Sequence, residues 1–158
     1  MKILFSILAL LFMTKECDQK KLDKQSNKTE VTSDQETSKQ QEQEYSIKYS
    51  AISRGIFKEI TINNDTISVQ KSRNEKPEIQ PCKDDLWREM LVNIERIDLE
   101  SLEKLEAPTG KRLYDGAAHA TLKITVDGKT YSTTSFDHGF PPKEIEGICD
   151  ILIKLIEN

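Results

Sequence analysis

Residues 113–142 read LYDGAAHATLKITVDGKTYSTTSFDHGFPP, and the fold turns on this stretch. Asp127 and Gly128 stand between two runs that alternate apolar and polar residues. Both central positions of a tight hairpin turn need positive φ, which Asp and Gly tolerate. A β-hairpin follows, with Ala118, Ala120, Leu122, Ile124 and Val126 on one face and His119, Thr121, Lys123 and Thr125 on the other. The return strand, Lys129 to Phe136, sets Tyr131 opposite Ile124 and gives an inner face that carries Thr133 and Ser135. The same register pairs His119 with Phe136 and Ala117 with His138. The two histidines are then diagonal neighbours on the outer face, about 7–8 Å apart at the backbone.

Earlier in the chain, Tyr45, Ile47, Tyr49 and Ala51 alternate with polar residues, and Ile60 and Ile62 do so after a break at Arg54 and Gly55. A two-residue turn at Asn64 and Asp65 places Ile62 opposite Ile67 and Ile60 opposite Val69, giving a three-stranded meander. Residues 74–81 hold two prolines and no periodicity and read as a loop. Asp84 and Asp85 favour a helix start, and Leu86, Trp87, Met90, Leu91, Ile94 and Ile97 form a stripe with Trp87 on its buried face. Leu99, Leu102 and Leu105 read as a short helical turn capped by Ser101 and ended by Pro108 and Gly110. Pro142 opens a last helix whose stripe is Ile145, Ile148, Cys149, Leu152, Leu155 and Ile156. The expected fold over 45–158 is therefore α+β: a single, mostly antiparallel sheet in βββαββα order, with two helices packed on one face.

The N-terminal part has a different character. Lys2 precedes an apolar run from Ile3 to Met13, the length of a signal-peptide core and too short to span a bilayer. Residues 1–16 are expected to be a signal peptide. Cys17 follows where exported lipoproteins carry their acylated cysteine, although Thr14, Lys15 and Glu16 stand where small residues are usual. From Asp18 to Glu44 only Leu22 and Val31 are apolar, too little to offset chain entropy, so 17–44 reads as a lipidated cysteine on a disordered tether. Lipidation would make the membrane a partner and the cell envelope the location, on the outer-membrane or periplasmic side.

Composition excludes several classes. A net charge of −4 gives no basic field for a phosphate backbone, so nucleic acid is not an expected partner. Cys17, Cys82 and Cys149 have no zinc or disulfide-framework spacing. Cys149 falls on an apolar stripe, and Cys82 and Cys149 are expected to be free thiols. There is no Gly-x-Ser-x-Gly, His-Glu-x-x-His or phosphate-binding loop, so neither an enzyme nor a cofactor is expected. His119 and His138, with Asp137, form a candidate metal set of mixed nitrogen and oxygen donors. Tyr114, Asp115 and Phe140 mark a candidate ligand rim at the same end of the hairpin. Asp65-Thr66-Ile67 makes Thr66 a candidate O-glycosylation acceptor.

Arg112 to Ala118 together with Ser135 to Pro142, and Cys17 behind its apolar run, resemble a small lipoprotein family of Bacteroidota, of flavobacterial type, with no known activity. The resemblance implies an envelope location and no reaction. The expected function is an envelope-anchored, non-catalytic binding module whose partner is another envelope protein, acting as an inhibitor or assembly factor. A metal or small-ligand carrier using His119, Asp137 and His138 is one alternative, and an undetected hydrolase is the other.

Overall fold

The computed structural model describes residues 43–158; the signal-peptide and Cys17 readings, and all but the end of the tether, lie outside the described residues. Seven strands form one antiparallel sheet: β1 (Tyr45–Ile52), β2 (Phe57–Ile62), β3 (Thr66–Gln70), β4 (Glu78–Pro81), β5 (His119–Val126), β6 (Lys129–Ser132) and β7 (Phe136–Asp137). The spatial order is β4-β3-β2-β1-β5-β6, and β7 pairs with β5 beside β6. The helices are α1 (Asp84–Ile94) and α2 (Glu146–Glu157). Among the described residues no helix is long and apolar enough to cross a membrane.

Alternation placed the central strands correctly. Ile47, Tyr49 and Ala51 of β1, Ile60 and Ile62 of β2, Ile67 and Val69 of β3, and Ala120, Leu122 and Ile124 of β5 are all buried on one face. Ile62 pairs with Ile67 and Ile60 with Val69, as the turn at Asn64 and Asp65 requires. Met90 and Ile94 of α1 and Ile148, Cys149, Leu152 and Ile156 of α2 join the same core. The helices approach closely at Gly147, where an added Cβ would strike the Asn93 carboxamide. The opposite sheet face is polar, with Lys48 paired to Glu59 and Ser50 hydrogen-bonded to Thr121.

Four local readings change. Residues 78–81 form β4, an edge strand with all four residues exposed; it lacks alternation because neither of its faces is covered, and Pro81 ends it. Trp87 is only partly buried, and Met90 takes the central place of the α1 stripe. The 3-10 turn Leu99–Lys104 is capped by Asp98, whose carboxylate accepts from the Glu100 N–H, rather than by Ser101. At the last helix Pro142 precedes a 3-10 turn, Lys143–Ile145, and α2 begins at Glu146.

The fifth change decides the site. Ile124 faces Tyr131 and Lys123 faces Ser132 as a two-residue turn dictates, but Ala120 faces Phe136 and His119 faces Asp137. Between these pairs Thr121 and Leu122 oppose Thr133, Thr134 and Ser135, so the return strand holds one extra residue, a β-bulge. The Thr133 hydroxyl fills the broken ladder by accepting from the Leu122 N–H. Every residue beyond the bulge changes face. Phe136 enters the core where Ser135 was expected and packs against Tyr49, with ring centroids 6.2 Å apart.

Candidate functional site

The bulge separates the two histidines. His119 is exposed on the outer face, and its Nδ1 lies 3.3 Å from Ser135 Oγ. His138 follows Asp137 by one residue and turns to the helix-covered side, where Nδ1 lies 2.7 Å from the Tyr49 hydroxyl and Nε2 lies 3.5 Å from Lys58 Nζ. Burial, together with the charge of Lys58, holds the His138 pKa below its ordinary value, against the pull of Glu157. The metal set His119, His138 and Asp137 therefore does not converge. Among the described residues no group of three His, Cys, Asp or Glu side chains is arranged to hold a metal ion.

Asp137 has a different task. Its side chain is fully buried against the turn that crosses the outer face of β7. Oδ2 accepts from Thr109 Oγ1 at 2.5 Å and from the Lys111 N–H at 2.7 Å; Oδ1 accepts from the Arg112 N–H at 2.9 Å and from Arg112 Nη1 at 3.1 Å. Burial pushes the carboxyl pKa up, but the bonds from Thr109, Arg112 and Lys111 outweigh it and hold the group well below the usual carboxylate range. Arg112 completes the clamp: Nη1 also donates to the Thr109 carbonyl, and Nε donates to Ser135 Oγ at 2.9 Å.

This clamp fixes the 3-10 turn Lys111–Tyr114. Asp115 closes it at φ 62°, and the Gly116 N–H reaches back to the Lys111 carbonyl. A Cβ on Gly116 would press on that carbonyl at 3.1 Å and on the Tyr114 ring at 3.0 Å, so the turn is tightly closed at its tip. Leu113 and Tyr114 are left 76% and 73% exposed at the tip. Beside them Lys111 Nζ sits over the Phe140 ring, 4.2 Å from its centroid, on the loop that leaves β7. The rim residues Tyr114, Asp115 and Phe140 thus lie on two loops joined through Lys111.

On the other side of Arg112 an open cleft of about 620 Å3 is lined by Leu105, Ala107, Leu113, His119 and Ser135, with Glu103, Lys104 and Glu106 at its charged side. Thr134 of the bulge, also in the lining, ties the cleft to its wall by donating to the Leu105 carbonyl.

Thr66 lies apart, exposed at the start of β3, where its N–H and hydroxyl both bond the Asn63 carboxamide oxygen. Cys82 and Cys149 are both buried free thiols, and burial raises the pKa of each.

Sequence reasoning gave Thr109, Arg112, Leu113 and Ser135 no role in a site. Arg112 and Asp137 are 25 positions apart, and no local pattern links them. A buried Asp after an aromatic residue at a strand end, with an Arg elsewhere in the chain, would have been the only signal. The molecule is an α+β protein with one antiparallel sheet, two helices on one face and a charge-clamped loop at the sheet's end. No protein family, curated protein or solved structure matches this chain.

Proposed function

We propose that this protein is a non-catalytic binding module, held at the cell envelope through Cys17, that engages another envelope protein with the turn Lys111–Tyr114 and its neighbour Phe140. One observation carries the reading: a fully buried carboxylate with four donors is devoted to holding a surface turn whose two large apolar side chains face water. Ordering that turn before contact removes part of the entropic cost of binding, and exposed Leu and Tyr supply contact area. The anchor rests on the apolar run from Ile3 to Met13 and the position of Cys17.

A photoreactive phenylalanine analogue at position 114 is expected to yield a discrete cross-linked species in envelope fractions. The same analogue at position 79, on the far edge strand, should not. Identical products from both positions, or none from 114, refute the reading. Palmitate labelling that persists in Cys17→Ser would overturn the anchor.

A further inference from the structure

We propose that the connections at one end of the sheet form a single docking face for an acidic protein surface. Ile52 pairs with Phe57 and with His119, His119 with Asp137, and Val69 with Glu78. The segments 53–56, 71–77, 111–118 and 138–142 therefore emerge side by side at that end. From β3 through β2, β1 and β5 to β7 there are four strand spacings, so the face is about 19 Å wide. Contacts join its parts: Arg73 lies over the Phe57 ring, 5.3 Å from the centroid, Lys58 reaches His138, and Lys111 lies over Phe140.

Charge is sorted between the two ends of the sheet. Arg54, Lys71, Arg73, Lys76 and Lys111 are exposed in these segments, and none has a carboxylate partner among the described residues. Arg112 and Lys58 add nothing to that set, because Asp137 and Glu157 neutralise them. Only Glu75 and Asp115 oppose the five cations within the same segments, and Glu103 and Glu106 lie on the cleft at the margin next to β6. The other end has the reverse sign: Glu44, Asp65 and Asp127 beside its turns, and Asp84 and Asp85 at the start of α1, stand against Lys83. The net charge of −4 conceals this separation. Exposed apolar side chains follow the cations. Ile56, Leu113, Tyr114 and Phe140 share the basic end, whereas Ile79 and Val92, the other two exposed large apolar residues among those described, lie within β4 and α1.

Apolar anchors among unpaired cations fit a partner that presents carboxylates around an apolar patch, since opposite charge steers the encounter and apolar area holds the complex. An anionic lipid surface has the same sign. The geometry favours protein, because the chain enters β1 at Glu44 on the acidic end, so the basic end is the one farther from the join with the segment that bears Cys17. The Asp137 clamp also holds the tip in one shape, which is an advantage only against a shaped partner. The proposal rests on the binding reading above and names the partner's chemistry.

The test uses the full chain. In envelope fractions the cross-link from position 114 should fall about tenfold in Arg54→Glu/Arg73→Glu and stay at the parent level in Lys83→Glu/Lys123→Glu, which changes net charge equally at exposed sites outside the face. A fluorescein-labelled peptide of repeated Glu-Glu-Leu, followed by anisotropy, should bind the parent and the Lys83→Glu/Lys123→Glu variant alike and the Arg54→Glu/Arg73→Glu variant about tenfold more weakly. Its binding should weaken as NaCl rises from about 0.05 to about 0.5 M, and repeated Gln-Gln-Leu should not bind. All four replaced side chains are exposed, and melting at the parent temperature verifies the fold of both variants. An unchanged cross-link in Arg54→Glu/Arg73→Glu overturns the proposal and leaves the binding reading standing. Absence of any cross-link from 114 in the parent overturns the binding reading itself, and the peptide then decides the face: equal affinity for both variants, or for both peptides, overturns it. Vesicles of phosphatidylcholine and phosphatidylglycerol that sediment the parent but not Arg54→Glu/Arg73→Glu, with no binding of the acidic peptide, reassign the face to lipid and overturn a protein partner.

Discussion

Replacing Asp137 with asparagine keeps the shape of the side chain and removes its charge. The two carboxylate oxygens of Asp137 each serve two donors, Thr109 and the Lys111 N–H on one and the Arg112 N–H and guanidinium on the other. Whichever way the carboxamide is turned, its NH2 meets two donors, so two of the four bonds are lost and the guanidinium loses its counter-charge. Breaking a buried ion pair from one side costs about 3–5 kcal/mol. For a domain of this size that is a fall in Tm of about 10–20 °C. Arg112→Met leaves Asp137 three of its four donors and should cost less, about 1.5–3 kcal/mol for one charge-assisted bond. Urea denaturation of the two variants and the double variant measures both terms and their coupling.

The pH dependence gives a second readout. The Asp137 pKa is depressed in the folded state from an unfolded value of about 3.9. Its contribution is therefore complete above about pH 4 and is lost as pH falls through the depressed folded value. Asp137→Asn should be less stable than the parent at pH 7, and the gap should narrow below about pH 4. A loss under about 1 kcal/mol at pH 7, or a gap that does not change with acid, would refute the clamp.

Deleting Thr134 removes the extra residue and leaves Leu122 opposite Thr133, Thr121 opposite Ser135 and Ala120 opposite Phe136, so Phe136 should stay in the core and the melt should stay cooperative; a non-cooperative melt would contradict this. His138 has a folded pKa below its unfolded value, so it favours the fold above about pH 6.5 and that favour is lost as pH falls through the lower folded value; His138→Gln should flatten the stability loss between about pH 7 and 5, seen by urea titration. Leu113→Ser with Tyr114→Ser should change stability by no more than about 0.5 kcal/mol, because both side chains face water, while abolishing the cross-link from a photoreactive residue at position 140. Unfolded, unreduced protein should take a thiol label at both Cys82 and Cys149.

The sequence by itself determined the layers of this protein. Period-two alternation from Tyr45 to Val69 and from Ala118 to Val126, the Asp127-Gly128 turn, and helical stripes around Met90 and Leu152 are signals contained within a few residues of one another. Such signals reflect which face of an element must leave water, and they survive whatever the element packs against. Tertiary structure alone decided the site. The bulge at Thr133, Thr134 and Ser135 has no mark in three small polar residues, and β4 shows no alternation because neither face is buried. One inserted residue exchanged the faces of Phe136, Asp137 and His138, sending one histidine to Tyr49 and delivering Asp137 to Arg112. A strand's face is fixed by counting from its partner, and a buried charge is placed by a partner distant in the chain.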